Sequence, residues 1–271
     1  MKKLALILVV SLLTGCVHAQ PKQKITLQGD HGKLSAILQI PKDKKTYPLV
    51  MIMHGFNGHK DMPLFPELEH QLNERGIATI RFDFNGQGES EGSFLDMTIP
   101  NEIEDARKVY EYVRQLPGVE SVSAVGHSQG GVVASMLAGQ LGADKIKSIA
   151  LLAPAGELKD DTAKGDLFGT QYDPENIPEY ITLHIGLKVG RAFLATTPHL
   201  PIYEVASQYT GPVLIVHSVD DELVPYVYGE RFKQGYKNAH LETLHAFDHS
   251  FTQDVPAVIN LVATFFSEQL L

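Results

Sequence analysis

The pentapeptide Gly126-His127-Ser128-Gln129-Gly130 sets a serine between two glycines where one hydrophobic periodicity gives way to another. Upstream, Ser121-Val122-Ser123-Ala124-Val125 alternates as a strand does, and downstream Val132, Val133, Met136, Leu137 and Leu141 recur at helical spacing. Ser128 therefore falls on a strand-to-helix elbow. Such a turn is crowded, so Gly126 and Gly130 stand where a side chain would collide, and the hydroxyl is pushed outward with a helix N-terminus behind it. The pentapeptide alone is a weak signal, and its setting between strand and helix gives it weight.

At 271 residues the chain is long enough for one large α/β domain, and no polar or low-complexity linker divides it. A net charge of −9 and the lack of any Lys/Arg cluster beyond short pairs argue against a nucleic-acid surface. Twelve histidines are scattered along the chain, and a single cysteine excludes a cysteine-rich zinc site.

That cysteine lies in a segment that reads as a targeting signal. Met1-Lys2-Lys3 is basic, and Leu4 to Leu13 is apolar but too short to span a membrane as a mature helix. Leu13-Thr14-Gly15-Cys16 follows at once. This resembles a bacterial lipoprotein signal over residues 1–15, with Cys16 as the lipidated first residue of a mature domain at 16–271. Ordinary cleavage after Val17-His18-Ala19 is the alternative. Either reading predicts an exported protein, anchored to a membrane through lipid at Cys16 in the first case and soluble in the second.

Lys24-Ile25-Thr26-Leu27-Gln28 and Lys33-Leu34-Ser35-Ala36-Ile37-Leu38 alternate around Gly29-Asp30-His31-Gly32 and predict an antiparallel hairpin. Leu49 to Met53, Ile77 to Ile80, Val122 to Val125, Ile149 to Leu152, Val213 to Val216 and His240 to Leu244 are short apolar runs. Helical stretches such as Leu64 to Arg75 lie between them, and a last helix runs from about Val255 to Glu268. Apolar runs buried on both faces and separated by helices predict a mostly parallel sheet with helices on both sides. The rhythm breaks between Ala153 and Val205, where five prolines fall among apolar residues. This stretch is too long for an ordinary connection, so an insertion at about 154–205 is expected over the C-terminal edge of the sheet as a lid.

A serine hydroxyl becomes a nucleophile only beside a base, and the base needs a carboxylate to fix its tautomer. On a strand-turn-helix scaffold these follow the serine in the order Asp, then His. Asp220 and Asp221 both follow the strand Val213-Leu214-Ile215-Val216, and His249 lies on a loop before the last helix. His240 and His245 fall within or at the end of a strand. Pre-positioned N–H donors are needed where negative charge develops on a former carbonyl oxygen. His54-Gly55-Phe56-Asn57-Gly58 follows a strand and offers the Phe56 amide, with the Gln129 amide as the second donor. The plain alternative for His54 and His59 is a pair of surface histidines. Gly86-Gln87-Gly88-Glu89-Ser90-Glu91-Gly92 has the wrong spacing for a dinucleotide loop, and its two glutamates would face a pyrophosphate.

Together these motifs resemble the α/β-hydrolase superfamily over nearly all the chain after residue 22. Asp221-x-x-Val224-Pro225 matches the family's acid and favours Asp221 over Asp220. The His54-Gly55 segment resembles its oxyanion loop, and Asp83-x-x-Gly86-x-Gly88-x-Ser90 resembles a structural turn after its fourth strand. Arg81-Phe82-Asp83-Phe84-Asn85-Gly86, Leu151-Leu152-Ala153-Pro154-Ala155 and Leu200-Pro201-Ile202-Tyr203-Glu204 look like bacterial cinnamoyl (feruloyl) esterases. That resemblance implies a carboxylesterase acting on hydroxycinnamate esters, small or linked to polysaccharide, through an acyl-enzyme and without metal or organic cofactor. It implies that Asp161 bonds the phenol, with Phe168 and Phe193 standing where the family has a glutamine and a tyrosine. The competing readings are a broader acyl or lipid esterase, a serine peptidase of the same fold, and a non-catalytic surface binding protein.

Overall fold

The computed structural model describes residues 22–42 and 44–271, so Cys16 and the segment read as a signal lie outside the described residues. The chain begins with the expected hairpin: β1 (Gln23–Gln28) pairs antiparallel with β2 (Lys33–Gln39). There follow β3 (Tyr47–Met53), α1 (Leu64–Glu74), β4 (Ala78–Phe82), α2 (Ile99–Val113), β5 (Val119–His127), α3 (Gln129–Leu141) and β6 (Ile146–Leu152). Beyond β6 come α4 (Glu157–Ala163), the two-residue strands β7 (Asp166–Leu167) and β8 (Thr170–Gln171), then β9 (Tyr180–Thr182) and β10 (Lys188–Gly190). Next are α5 (Arg191–Thr196) and α6 (Ile202–Ala206). The main sheet resumes at β11 (Val213–Ser218), followed by α7 (Val227–Gly235), β12 (Ala239–Leu244) and α8 (Val255–Leu270).

Eight strands form one sheet in the order β1-β2-β4-β3-β5-β6-β11-β12. β2 meets β4 antiparallel, and every pair from β4 through β3, β5, β6 and β11 to β12 is parallel. The reason is visible in β3, where Leu49, Met51 and Met53 join one core and Val50 and Ile52 join the other. Side chains alternate across a strand, so a strand covered on both faces must be apolar at every position. The first core is closed by α2 and α3 through residues such as Val109, Val113, Val133 and Leu137. The second is closed by α1 and α8 through Leu68, Leu72, Val262 and Phe266, all fully buried. Each such side chain contributes roughly 1.5–3 kcal/mol on leaving water.

α2 starts with Thr98 capping the Asn101 amide and Pro100 in its first turn, and α8 starts with Asp254 capping the Ala257 amide ahead of Pro256. These caps fix where each helix leaves the sheet. The parallel arrangement then brings the ends of β3, β5, β6, β11 and β12 to one edge, where open α/β sheets bind ligands.

Candidate active site

Ser128 joins β5 to α3 with φ 56° and ψ −124°, a strained conformation for a residue with a side chain. Its amide donates to the Leu152 carbonyl at 2.8 Å, and its carbonyl accepts from Ala155 at 3.1 Å. Neighbouring glycines make the elbow possible. A Cβ on Gly126 would overlap the Gly130 carbonyl, and one on Gly130 would overlap the His54 carbonyl. Gly55 sits opposite, where a Cβ would lie 2.8 Å from that of Ser128.

His249 and Asp221 meet at the same edge. His249 Nδ1 donates to Asp221 Oδ2 at 2.8 Å, while Asp221 Oδ1 accepts from the Leu223 and Val224 amides, each at 2.9 Å. Burial would raise the Asp221 carboxyl, but hydrogen bonding from His217 and His249 outweighs it and holds the group well below the usual carboxylate range. With Nδ1 carrying the proton, His249 Nε2 keeps its lone pair, and this buried atom has no partner among the described residues. Asp220 points elsewhere and accepts from the Ala246 amide. Asp248 fixes the His249 loop by accepting from the Ser250 and Thr252 amides at 3.1 and 2.9 Å.

Ser128 and His249 share the wall of a cavity of about 340 Å³ with Gly55, Phe56, Phe168 and Leu223. Among the described residues the Phe56 amide has no acceptor, and the Gln129 amide, first in α3, has none within its helix. Both N–H groups are therefore free to receive an oxyanion.

His54 is a correction to the surface-pair alternative: it is buried, whereas His59 is exposed. His54 Nδ1 donates to the Gly55 carbonyl at 2.9 Å and Nε2 accepts from the Phe84 amide at 3.1 Å, with burial pulling the imidazole down to about 4. The loop carrying Phe56 is pinned by Lys60, whose amide donates to Asp83 Oδ1 at 2.6 Å and whose ammonium donates to Asp83 Oδ2 at 3.0 Å. Asp83 also accepts from the Glu89 amide at 2.8 Å, so the turn through Ser90 braces the oxyanion loop.

The substrate-contact residues are placed unequally. Phe168 reaches the cavity from the β7–β8 turn, where it and Gly169 have φ of 50° and 77°. Two successive positive φ values suit a tight hairpin, and from it Phe168 packs edge to face on Phe56 at 5.1 Å. Leu183, His184 and Ile185 complete this wall from the β9–β10 turn. Phe193 does not line the cavity: it is fully buried and meets Phe56 edge to face at 5.7 Å, because α5 turns it into the core. Asp161 lines a second cavity that shares Phe168 and Leu223 with the first, and it pairs with Lys164 at 3.1 Å.

Three supporting residues escaped the motif reading. His127 Nε2 donates to the His249 carbonyl at 2.8 Å, tying the two site loops together. His217 Nε2 donates to the Val224 carbonyl at 2.9 Å and lies 3.4 Å from Asp221. Glu102 accepts from Gln129 and Gln87 at 2.8 and 2.7 Å from within the core, and burial pushes it up to about 8. Only the position of His127 inside the glycine-flanked pentapeptide marked it out in sequence.

Burial lowers the His127 imidazole from its ordinary 6.5 to about 3, assisted by repulsion from His249. Between those values the unfolded chain binds a proton that the folded chain refuses, so this residue costs stability as the pH falls through that window. Glu102 and Asp105, raised by burial to about 8 and about 6, act in the opposite direction. The expected result is therefore differential: His127→Gln loses less stability than wild type between pH 6.5 and pH 4, as read from urea midpoints. Parallel curves for the two proteins would contradict it.

A sheet of this topology, with a serine elbow after β5 and an Asp–His pair after β11 and β12, is the framework of an α/β-hydrolase, and the chain belongs to that fold family. Residues 48–180 match the family described as alpha/beta hydrolase fold. Est1E from Butyrivibrio proteoclasticus, solved with ferulic acid bound, is 34% identical with a TM-score of 0.87, over 90% of this chain and 98% of Est1E. The lysophosphatidylserine lipase ABHD12 of Danio rerio is 26% identical over 69% of this chain and 47% of its own. Esterase EstD of Thermotoga maritima is 28% identical over 53% of this chain and 35% of its own. The chain thus spans about half the length, or less, of these two curated relatives.

Proposed function

We propose that the protein is a serine carboxylesterase acting on hydroxycinnamate esters. The observation that carries this reading is the unpartnered His249 Nε2, in the wall of the cavity that Ser128 also lines, on a ring whose other nitrogen is held by Asp221. Nε2 takes the proton from Ser128 Oγ as the oxygen bonds to the ester carbonyl carbon, and the amides of Phe56 and Gln129 hold the oxyanion. The C–O bond to the alcohol then breaks, and the alcohol leaves with the proton from His249. Water repeats the sequence on the acyl-enzyme and releases the acid.

Three things support a hydroxycinnamate as the acyl group: the likeness to Est1E with its bound ferulic acid, the aromatic face of Phe168, and Asp161 in the adjoining cavity. The apolar walls contributed by Phe168, Leu183 and Ile185 favour a second reading, an esterase of simple acyl chains. An apolar pocket separates similar ligands by only about 1–3 kcal/mol, whereas a site that bonds a hydroxyl discriminates strongly for it. Methyl ferulate, methyl cinnamate and a short-chain ester compared by kcat/KM decide between them. The expected order is ferulate first, with a margin over cinnamate of roughly ten- to a hundredfold that Asp161→Ala reduces. Equal constants in wild type, or ratios untouched by Asp161→Ala, would favour the acyl esterase.

A further inference from the structure

We propose that the second cavity is a subsite for a positively charged amine at the far end of the acyl group, with Glu157 as its counter-ion. The proposal rests on the esterase reading for what the first cavity holds. This second cavity measures about 360 Å³ and is lined by Glu157, Asp161, Asp166 and Glu222 together with apolar residues that include Phe168 and Leu223. The last two also wall the Ser128 cavity, so the two cavities adjoin, and in this proposal a ligand whose ester lies at Ser128 reaches past them into the acidic space.

Glu157 is the decisive residue. It is 4% exposed, and apart from an interaction with its own amide neither carboxyl oxygen has a partner among the described residues. Of the other acids lining the cavity, Asp161 and Asp166 have partners, and Glu222 is exposed. Asp161 pairs with Lys164, both of them well exposed, and Asp166 accepts from the Gly169 amide and the Gln171 side chain. Arg231 and the Tyr228 hydroxyl both go to Asp160. Among the described residues no lysine or arginine lines the cavity. Desolvation, reinforced by Asp161, Asp221 and Asp160, pushes the Glu157 carboxyl well above the usual carboxylate range. A buried carboxyl in that condition gains from an ammonium that both bonds and neutralises it, its own proton passing to solvent. A carboxylate in the same place would meet four acids.

The test uses four methyl cinnamates: unsubstituted, and carrying 4-aminomethyl, 4-hydroxy or 4-carboxy groups. Calorimetry on the full chain carrying Ser128→Ala reads binding without turnover, and kcat/KM on the otherwise wild-type chain reads hydrolysis. The aminomethyl ester is expected to bind on the order of ten- to a hundredfold more tightly than unsubstituted cinnamate, with the carboxy ester weakest. Glu157→Gln, and Glu157→Leu as a second uncharged variant, are expected to erase the amine preference while leaving affinity for unsubstituted cinnamate unchanged. Equal binding of aminomethyl and unsubstituted esters, or an amine preference that survives both variants, overturns the subsite. Amine-selective binding without hydrolysis of any ester overturns the esterase reading instead.

Discussion

Ser128→Ala is expected to lose ester hydrolysis by a factor on the order of a million while the fold stays intact. The size follows from the unit nature of the mechanism, because without Oγ neither His249 nor Asp221 has a nucleophile to activate, and only amide donors and binding remain. The fold survives because the elbow is held by the backbone: the Ser128 amide and carbonyl bond Leu152 and Ala155 whatever the side chain. Alanine occupies no more room beside Gly55 than serine does. Hydrolysis of p-nitrophenyl esters and of methyl ferulate, beside thermal melts of both proteins, measures the two halves of the statement. Activity near wild type in rigorously purified variant protein would remove Ser128 from the mechanism.

Asp221→Asn and Asp220→Asn form the second expectation, one change severe and the other mild. In Asp221→Asn the Oδ1 bonds to Leu223 and Val224 can persist, so the loop keeps its shape. An amide N–H then faces His249 Nδ1, which must become an acceptor and send its proton to Nε2. The base is thereby blocked at the atom that should take the serine proton, a loss of about ten-thousandfold in kcat where the same tautomer reversal occurs. Asp220→Asn keeps an oxygen for the Ala246 amide and changes nothing at His249, so a loss of about tenfold or less is expected, in line with a second-rank hydrogen bond. Steady-state kinetics on one ester ranks them, and the reverse order would show that Asp220 is the acid.

The sheet was legible because its physics is local. Strands buried on both faces are apolar at every position, as in Val50 through Met53, and the hairpin from β1 to β2 turns at the Gly29-to-Gly32 segment between two alternating runs. The serine elbow was legible from its pentapeptide, although only the glycine at 126 is demanded by a local contact, with Gly130, and the one at 130 is demanded by Met53 and His54 at the end of β3. Choosing between Asp220 and Asp221 was harder. Two adjacent acids differ by the direction in which a turn presents them, and only the resemblance separated them before the His249 hydrogen bond was seen.

Burial at the site was less legible. His54 and Lys60 are polar residues in a loop, and sequence offers no sign that they are held at 1% and 2% exposure by partners from the turn after β4. Phe168 and Phe193 are the same residue type in the same insertion, yet a positive-φ hairpin turn exposes one to the cavity and a helix directs the other behind Phe56.

By itself the sequence determined the class of fold, the order of the main sheet's strands, and a serine, an acid and a histidine in the succession such a fold uses, because each depends on periodicity or on a short motif. Only the tertiary structure decided which atoms meet. The His249 proton is set by Asp221 across a separation of 28 residues, and the His249 carbonyl is held by His127 across 122. Each cavity is walled partly by the segment between β6 and β11, through Phe168, and partly by the loop after β11, through Leu223. Pairings of that length are fixed by the packing of whole elements, and no short window of sequence contains both partners.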